Sequence, residues 1–327
     1  MDAVHIVGAG GIGCAVGHAL LEAGQEVIFV ETSQEKIRHG ISEGVKVGSS
    51  RPHRAPFVAF PDWSPPKKGV ILLCVKCPAN SSILPKIPDS ALLVPIQNGV
   101  DPDLSQRGPH VEGIASFVSE CSRDRPHTRI TRKGELHLGI QGPPNHELRR
   151  LLAELAERLE RAPFRVRQVE DINPWKYTKL MYNSAISPLA ASAGLDNGEL
   201  LRWKKLRQLF FALLQENYAI LHGAGKLLAR IGPFHPRTVA RILSRPLVAN
   251  SLALAFYPSL RGTYCSMAGD LPHGPTEISN YNGHLVQLAG DSPCVMNRAI
   301  LDLFRQFEAE KLAPHPDRLT PLWKFIA

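Results

Sequence analysis

A chain of 327 residues exceeds one ordinary compact domain, so two domains of unequal size are expected. Hydrophobic residues make up 44% and charged residues 21%, an ordinary globular mix, and no apolar run reaches the length needed to span a bilayer. The net charge of +8 would suit a nucleic acid or an anionic small molecule, but the basic residues are dispersed and no basic run interleaved with aromatics exists, which argues against a nucleic-acid partner.

The first residues run straight into an apolar strand with no basic preface or small-residue cleavage site, so a cytoplasmic protein is expected. The six scattered cysteines fit that compartment as free thiols. Cys74 and Cys77 form a CxxC at the end of a strand-like run, but no second pair or nearby His accompanies them, so no metal site is expected.

Val4 to Val7 reads as a strand, followed by Gly8-Ala9-Gly10-Gly11-Ile12-Gly13, a helix through Ala23, and a second strand, Val27 to Val30, that ends at Glu31. In this pattern Gly8 allows a tight turn, Gly10 lets backbone amides approach a pyrophosphate, and Gly13 lets helix and strand pack closely. The amides of Gly11 and Ile12 open the helix, whose positive dipole end favours phosphate. Strand, glycine turn, helix and closing acid in this order predict a dinucleotide site. Glu31 would accept hydrogen bonds from ribose hydroxyls and repel a 2′-phosphate, so by itself it favours NADH over NADPH.

Val70 to Val75 and Ala91 to Ile96 read as buried parallel strands ending at Lys76 and at Gln97-Asn98-Gly99. Ligands bind beyond the carboxyl ends of such strands, so Lys76 and Asn98 are candidates for the nicotinamide half, although either could be a turn residue. Gly48 to Lys68, rich in Pro and basic residues, reads as a surface excursion of unknown use. Val111 to Val118 and Arg129 to Ile140 are expected as later strands, added antiparallel, Asn145 to Arg161 as an amphipathic helix, and Arg165 to Val169 as a last short strand. A linker at 170–174 would separate a Rossmann-type doubly wound domain, 1–169, from an all-helical domain, 175–327.

The helices expected in that second domain are Trp175 to Ala191, Glu199 to His222, a stretch from Pro236 to Leu254, Thr276 to Leu288 and Cys294 to Glu310. The cleft between the domains is the expected site. In the first of these helices Lys179, Asn183 and Ser187 recur every four residues, which aligns an ammonium, an amide and a hydroxyl; Leu180, Met181, Ala185, Ile186 and Leu189 cover the other side. A lysine there needs a compensating group or a route to water.

Lys179 to Ala191, KLMYNSAISPLAA, with Asn197-Gly198-Glu199-Leu200 after it, resembles the ketopantoate reductase family, whose helical domain opens with KL…N…NPLTA and an NGEL turn. The likeness extends to the glycine motif, to Val75-Lys76, to Gln97-Asn98-Gly99, to Ser266-Met267 with Asp270 behind it, and to Thr276-Glu277-Ile278 with Asn282-Gly283. The resemblance implies a reductase that passes hydride from NADPH to the ketone of 2-oxopantoate, giving pantoate for coenzyme A synthesis. It implies that Lys179 is the catalytic acid and that Glu277 engages the substrate hydroxyl. The positions of Asn98, Asn183, Asn197 and Ser266 would hold polar groups of cofactor or substrate.

Two departures stand out: Ser187 replaces a family asparagine, so substrate contacts there would differ, and Glu31 stands where a basic residue would favour NADPH. Three readings follow: a ketopantoate reductase, a relative acting on another branched 2-oxo acid or ketone, and a dinucleotide-binding protein without turnover. The joint presence of Lys179 and Glu277 argues against the last. Phe210, Phe211 and Phe256 could line a core or a dimer face, which leaves a homodimer open.

Overall fold

The computed structural model describes residues 2–326. The chain forms two compact units, Met1–Ile172 and Asn173–Ala327. The first runs β1 (Val4–Val7), α1 (Gly11–Glu22), β2 (Val27–Glu31), α2 (Gln34–Glu43), β3 (Lys46–Val47), β4 (Phe57–Ala59), β5 (Val70–Leu73), α3 (Asn80–Ile83), β6 (Leu92–Pro95), α4 (Pro102–Gln106), β7 (His110–Ala115), β8 (Val118–Cys121), β9 (His127–Arg132), β10 (Glu135–Gln141), α5 (His146–Arg158) and β11 (Arg165–Asp171).

Five of these strands lie parallel in the order β4-β2-β1-β5-β6. Their side chains alternate between two apolar clusters. Val4, Ile6, Val27, Phe29, Val70, Leu72 and Val94 join one, and Val7, Val30, Ile71, Leu73 and Leu93 join the other. Both faces are therefore covered, which is why these strands read as continuous apolar runs. The result is a Rossmann-like doubly wound sheet.

Two expected strands turn out to be four. The 111–118 and 129–140 stretches each break in the middle, so that β10 pairs with β7 and β11 in one small sheet while β9 pairs with β8 and β3 in another. The break sits where Ser116 and Glu135 meet: Ser116 N donates to Glu135 O at 2.7 Å, and Glu135 N donates to Ser116 Oγ at 2.8 Å. Gly134 passes so close that a Cβ there would lie 2.4 Å from Phe117 N. The 48–68 excursion also differs from expectation. It returns to the main sheet as edge strand β4, where Phe57 stacks on Phe29 with ring centroids 4.9 Å apart. Trp63 is buried beyond it and donates its indole N–H to His5 Nδ1 at 3.0 Å.

The second unit is helical: α6 (Asn173–Ala193), α7 (Asn197–Arg202), α8 (Lys204–Gly223), α9 (Pro236–Leu243), α10 (Pro246–Leu260), α11 (Asn282–Ala289) and α12 (Val295–Glu310), with no strand among its described residues. The single helix expected over 236–254 is two, because Pro246 lacks the N–H that an uninterrupted helix would need there. The stretch 199–222 likewise divides at Trp203, whose backbone is extended. The helix expected from Thr276 instead begins at Asn282, after a short 3-10 turn, Ile278–Asn280. Glu277 is thus placed before that turn, not in the first turn of a helix.

A chain of buried amides locks the long helix α6 to its neighbours. Pro188 has no N–H, which leaves the Ser184 carbonyl without its helical donor; Asn282 Nδ2 donates to it at 2.9 Å. Asn282 also donates to Asn297 Oδ1 at 2.8 Å, Asn297 donates to Asn217 Oδ1 at 2.9 Å, and Asn217 donates to the Met181 carbonyl at 3.0 Å. Four helices, α6, α8, α11 and α12, are held in register by three side chains that are each fully buried.

Candidate active site

In the first unit the glycine turn is shaped by what surrounds it. Gly8 has φ +100°, and a Cβ there would lie 2.7 Å from Val75 Cγ1. A Cβ on Gly13 would lie 2.0 Å from the Gly8 carbonyl oxygen, so helix and turn could not approach as they do. Gly11 is pressed against Ser119 of β8, with 2.6 Å between a built Cβ and Ser119 Oγ. A Cβ on Gly10 meets nothing within 4 Å. The one glycine whose side is open is the one across which a pyrophosphate would pass. Helix α1 has no side-chain cap and no acidic residue in its first turn, so its N-terminal amides and positive dipole end remain suited to phosphate.

Glu31 closes β2 and braces this turn. Its Oε2 accepts from Ala9 N at 3.1 Å, while Oε1 accepts from Thr32 N at 2.7 Å, Ser33 N at 3.1 Å and Thr32 Oγ1 at 3.2 Å. A carboxylate offers about four acceptor positions, so Oε2 keeps capacity for a further donor such as a ribose hydroxyl. The geometry of these residues fits an adenosine dinucleotide.

Beyond β5 and β6 the chain ends carry Lys76 and Asn98, both half-buried. Asn98 sits over a buried network: Gln97 Nε2 donates to the Val75 carbonyl at 2.8 Å and to Asn80 Oδ1 at 2.9 Å, and Asn80 Nδ2 donates to Gln97 Oε1 at 3.0 Å and Asp101 Oδ2 at 2.7 Å. Cys77 Sγ donates to the Asn98 carbonyl at 3.0 Å, and desolvation pushes the Cys74 thiol up to about 12. The CxxC pair therefore serves the packing of this turn.

In the second unit the line Lys179, Asn183, Ser187 lies on α6, with Lys179 and Asn183 half-buried and Ser187 buried. Leu180, Met181, Ala185 and Leu189 are buried as the spacing predicts, whereas Ile186 is half-buried. The most buried lysine of this helix is Lys176, which the sequence reading did not single out. Glu277 is 1% exposed, and its Oε2 accepts from Ser266 Oγ at 3.2 Å and from Tyr281 OH at 3.4 Å. The preceding Thr276 is held by Glu308, whose Oε1 accepts from Thr276 N at 3.3 Å and from Thr276 Oγ1 at 3.1 Å. Asn197 is anchored to Thr263, its backbone N donating to the Thr263 carbonyl at 2.9 Å and its Nδ2 to Thr263 Oγ1 at 3.2 Å, while its Oδ1 is buried without a hydrogen-bond partner.

Residues 4–142 match the family described as ketopantoate reductase PanE/ApbA, and residues 171–308 match the ketopantoate reductase PanE/ApbA C-terminal region. The chain belongs to the ketopantoate reductase family. It is therefore an NAD(P)-dependent oxidoreductase acting on CH–OH groups, and its cofactor is a nicotinamide dinucleotide. The 2-dehydropantoate 2-reductase of Archaeoglobus fulgidus is 26% identical over 316 residues, 94% of this chain and 98% of that protein. A PanE/ApbA family ketopantoate reductase from Ralstonia eutropha shares the fold with a TM-score of 0.72 at 23% identity, over 94% of this chain and 99% of that one. D-mandelate dehydrogenase in a ternary structure with NADH and anilino(oxo)acetate shares it with a TM-score of 0.74 at 16% identity, again over 94% and 99%.

Within this ketopantoate reductase fold, sequence reasoning did not find Asn80, Asp101, Ser119, Tyr281 or Glu308. Asn80, Ser119 and Glu308 each support a candidate residue or its neighbour from a distant part of the chain, which no local pattern announces; Tyr281 lies only four residues beyond Glu277, and Asp101 acts through Asn80. Cys14 and Cys121 were also missed as a pair. Both thiols lie within hydrogen-bond reach of the Ala9 carbonyl, at 3.3 Å and 3.5 Å, and of each other, an interaction that pushes Cys14 up and Cys121 down.

Proposed function

We propose that the chain reduces the ketone of 2-dehydropantoate to (R)-pantoate, a step towards pantothenate and coenzyme A, and that it prefers NADH. The observation that carries this reading is the Glu277 carboxylate, buried and already held by two hydroxyls in the unit that also bears Lys179. A carboxylate kept this dry is costly unless it has work to do with a polar ligand or a cation.

The bound nicotinamide would supply the hydride. What the protein supplies is a proton and a place for negative charge: Lys179 stabilises the developing alkoxide and protonates its oxygen. Glu277 accepts the substrate hydroxyl, and Asn98, Asn183, Ser187, Asn197 and Ser266 supply further polar contacts. Gly8, Gly10, Gly11, Ile12 and Gly13 receive the pyrophosphate, with Lys76 and Asn98 towards the nicotinamide. Glu31 disfavours a 2′-phosphate by charge, and the nearby Arg38 is exposed and faces Glu35 at 3.9 Å.

Steady-state oxidation of NADH and of NADPH, with 2-oxopantoate and 2-oxoisovalerate as alternative substrates, tests this directly. Turnover is expected with 2-oxopantoate and more efficiently with NADH. Lys179→Ala is expected to lower kcat by roughly 10²- to 10⁴-fold while dinucleotide affinity survives; unchanged turnover would overturn the role of Lys179. A second reading, reduction of another branched 2-oxo acid or ketone, rests on Ser187, which is buried and shorter than the family asparagine. It predicts that 2-oxoisovalerate outcompetes 2-oxopantoate.

Exposed Leu247, Val248 and Leu254 on α10 support a homodimer, to be checked by sedimentation. Six cysteines with no disulfide among them support a reducing, cytoplasmic compartment.

A further inference from the structure

We propose that His18, Glu22 and His53 bind one divalent transition-metal ion of the zinc type, which clips the 48–54 segment to helix α1. Their ligand atoms all lie within 4.8 Å of one another. His18 and Glu22 are one helical turn apart on α1, with His18 Nδ1 3.6 Å from Glu22 Oε2. His53 arrives from the excursion between β3 and β4, its Nε2 3.8 Å from Glu22 Oε1. Its place is set by a two-way bridge with Val45, whose N donates to the His53 carbonyl at 2.8 Å while His53 N donates to the Val45 carbonyl at 2.9 Å.

The tautomer of His18 carries the argument. Its side chain is 2% exposed, and Nε2 faces the Arg51 carbonyl at 3.0 Å and Ser50 Oγ at 2.9 Å. A carbonyl can only accept, so Nε2 bears the proton, and in the neutral ring Nδ1 presents a lone pair. Nδ1 is buried and has no hydrogen-bond partner. A lone pair facing a carboxylate at this distance is unfavourable unless a cation lies between them. A metal-bound imidazole whose other nitrogen donates to a carbonyl is the usual supporting arrangement for such a ligand.

The spacing agrees with this. Metal–nitrogen distances of about 2.0–2.1 Å in a tetrahedron put ligand atoms roughly 3.4 Å apart; His18 Nδ1 and Glu22 Oε2 stand at 3.6 Å, and the set of three, within 4.8 Å of one another, contracts slightly on an ion. Glu22 and His53 are partly exposed, so a water can complete the shell. A second cluster provides the contrast: His39 and His127 also approach one carboxylate, Glu43, but the Arg125 guanidinium sits on it at 3.0 Å. There the cation position is already filled.

The test is calorimetric titration of the full chain, stripped with a chelator, with Zn²⁺, together with thermal unfolding with and without the ion. One equivalent taken up per chain, a rise in Tm, and the visible absorption of a tetrahedral Co²⁺ derivative are expected. His53→Ala and Glu22→Gln, both at partly exposed positions, should each weaken Zn²⁺ binding about 100-fold or more and remove the rise in Tm, whereas His39→Ala should change neither. The proposal fails if the wild type takes up no ion. It fails equally if His53→Ala, shown to be folded by circular dichroism, binds Zn²⁺ as tightly as the wild type, because the ion would then sit elsewhere.

Discussion

Gly10 and Gly13 lie three residues apart in one motif, yet the structure assigns them opposite sensitivities. A methyl on Gly13 collides with the Gly8 carbonyl, so Gly13→Ala should destabilise the fold by about 1–3 kcal/mol, seen as a lower denaturant midpoint. A methyl on Gly10 meets nothing, so Gly10→Ala should leave the midpoint within about 0.5 kcal/mol of wild type and weaken dinucleotide binding instead. Equal loss of stability in the two variants would remove the argument that Gly10 faces the cofactor. Glu31→Ala should narrow the NADH over NADPH preference in kcat/KM by about tenfold, corresponding to about 1.4 kcal/mol. It should also loosen the glycine turn, because Ala9 N loses its partner. The motif was legible in the sequence because turn chemistry is local. The brace from Glu31 to Ala9 was not, because a carboxylate reaching across 22 residues leaves no local mark.

At the scale of elements, α6 is the helix on which the candidate acid rides, and its position depends on the buried amides. Asn297 joins Asn282 to Asn217 and also donates to Glu216 Oε1 at 2.8 Å. Asn297→Ala leaves a carboxylate and two amides short of partners, so a loss of about 2–3 kcal/mol in urea unfolding is expected. A loss under about 0.5 kcal/mol would show that water replaces the side chain at no cost. The helix itself was readable from periodicity, through Pro188 as far as Ala191; how it tolerates that proline was not. The carbonyl that Pro188 leaves without a donor is taken over by Asn282, far along the chain. The split of 111–118 and 129–140 has the same origin. Both halves of each stretch have strand character, and only the crossing at Ser116 and Gly134 decides which sheet each half joins.

For the whole molecule, His284 couples stability to pH. Burial, reinforced by Lys176 and Lys226, pushes its imidazole down to about 4 from 6.5, and neither ring nitrogen has a hydrogen-bond partner. The unfolded chain takes up that proton near 6.5 while the native chain holds the neutral ring down to about 4. The contribution is complete above 6.5 and is lost progressively as the pH falls towards 4. His284→Gln should flatten that part of the stability-versus-pH curve, measured by chemical unfolding across the window. An unchanged slope would show that other groups dominate acid sensitivity.

The sequence by itself determined the two-part plan, a Rossmann-like unit followed by a helical one, and the family. It did so through the order of motifs whose chemistry is contained within a few residues: the glycine turn, the apolar strands and the four-residue spacing on α6. Tertiary structure decided the rest. It alone shows Glu277 ahead of its helix and bonded to Ser266 and Tyr281, and it alone brings His53 beside His18 and Glu22. Backbone periodicity is fixed by neighbours a few bonds away, whereas a buried polar group is satisfied by whatever partner the packed chain delivers to it.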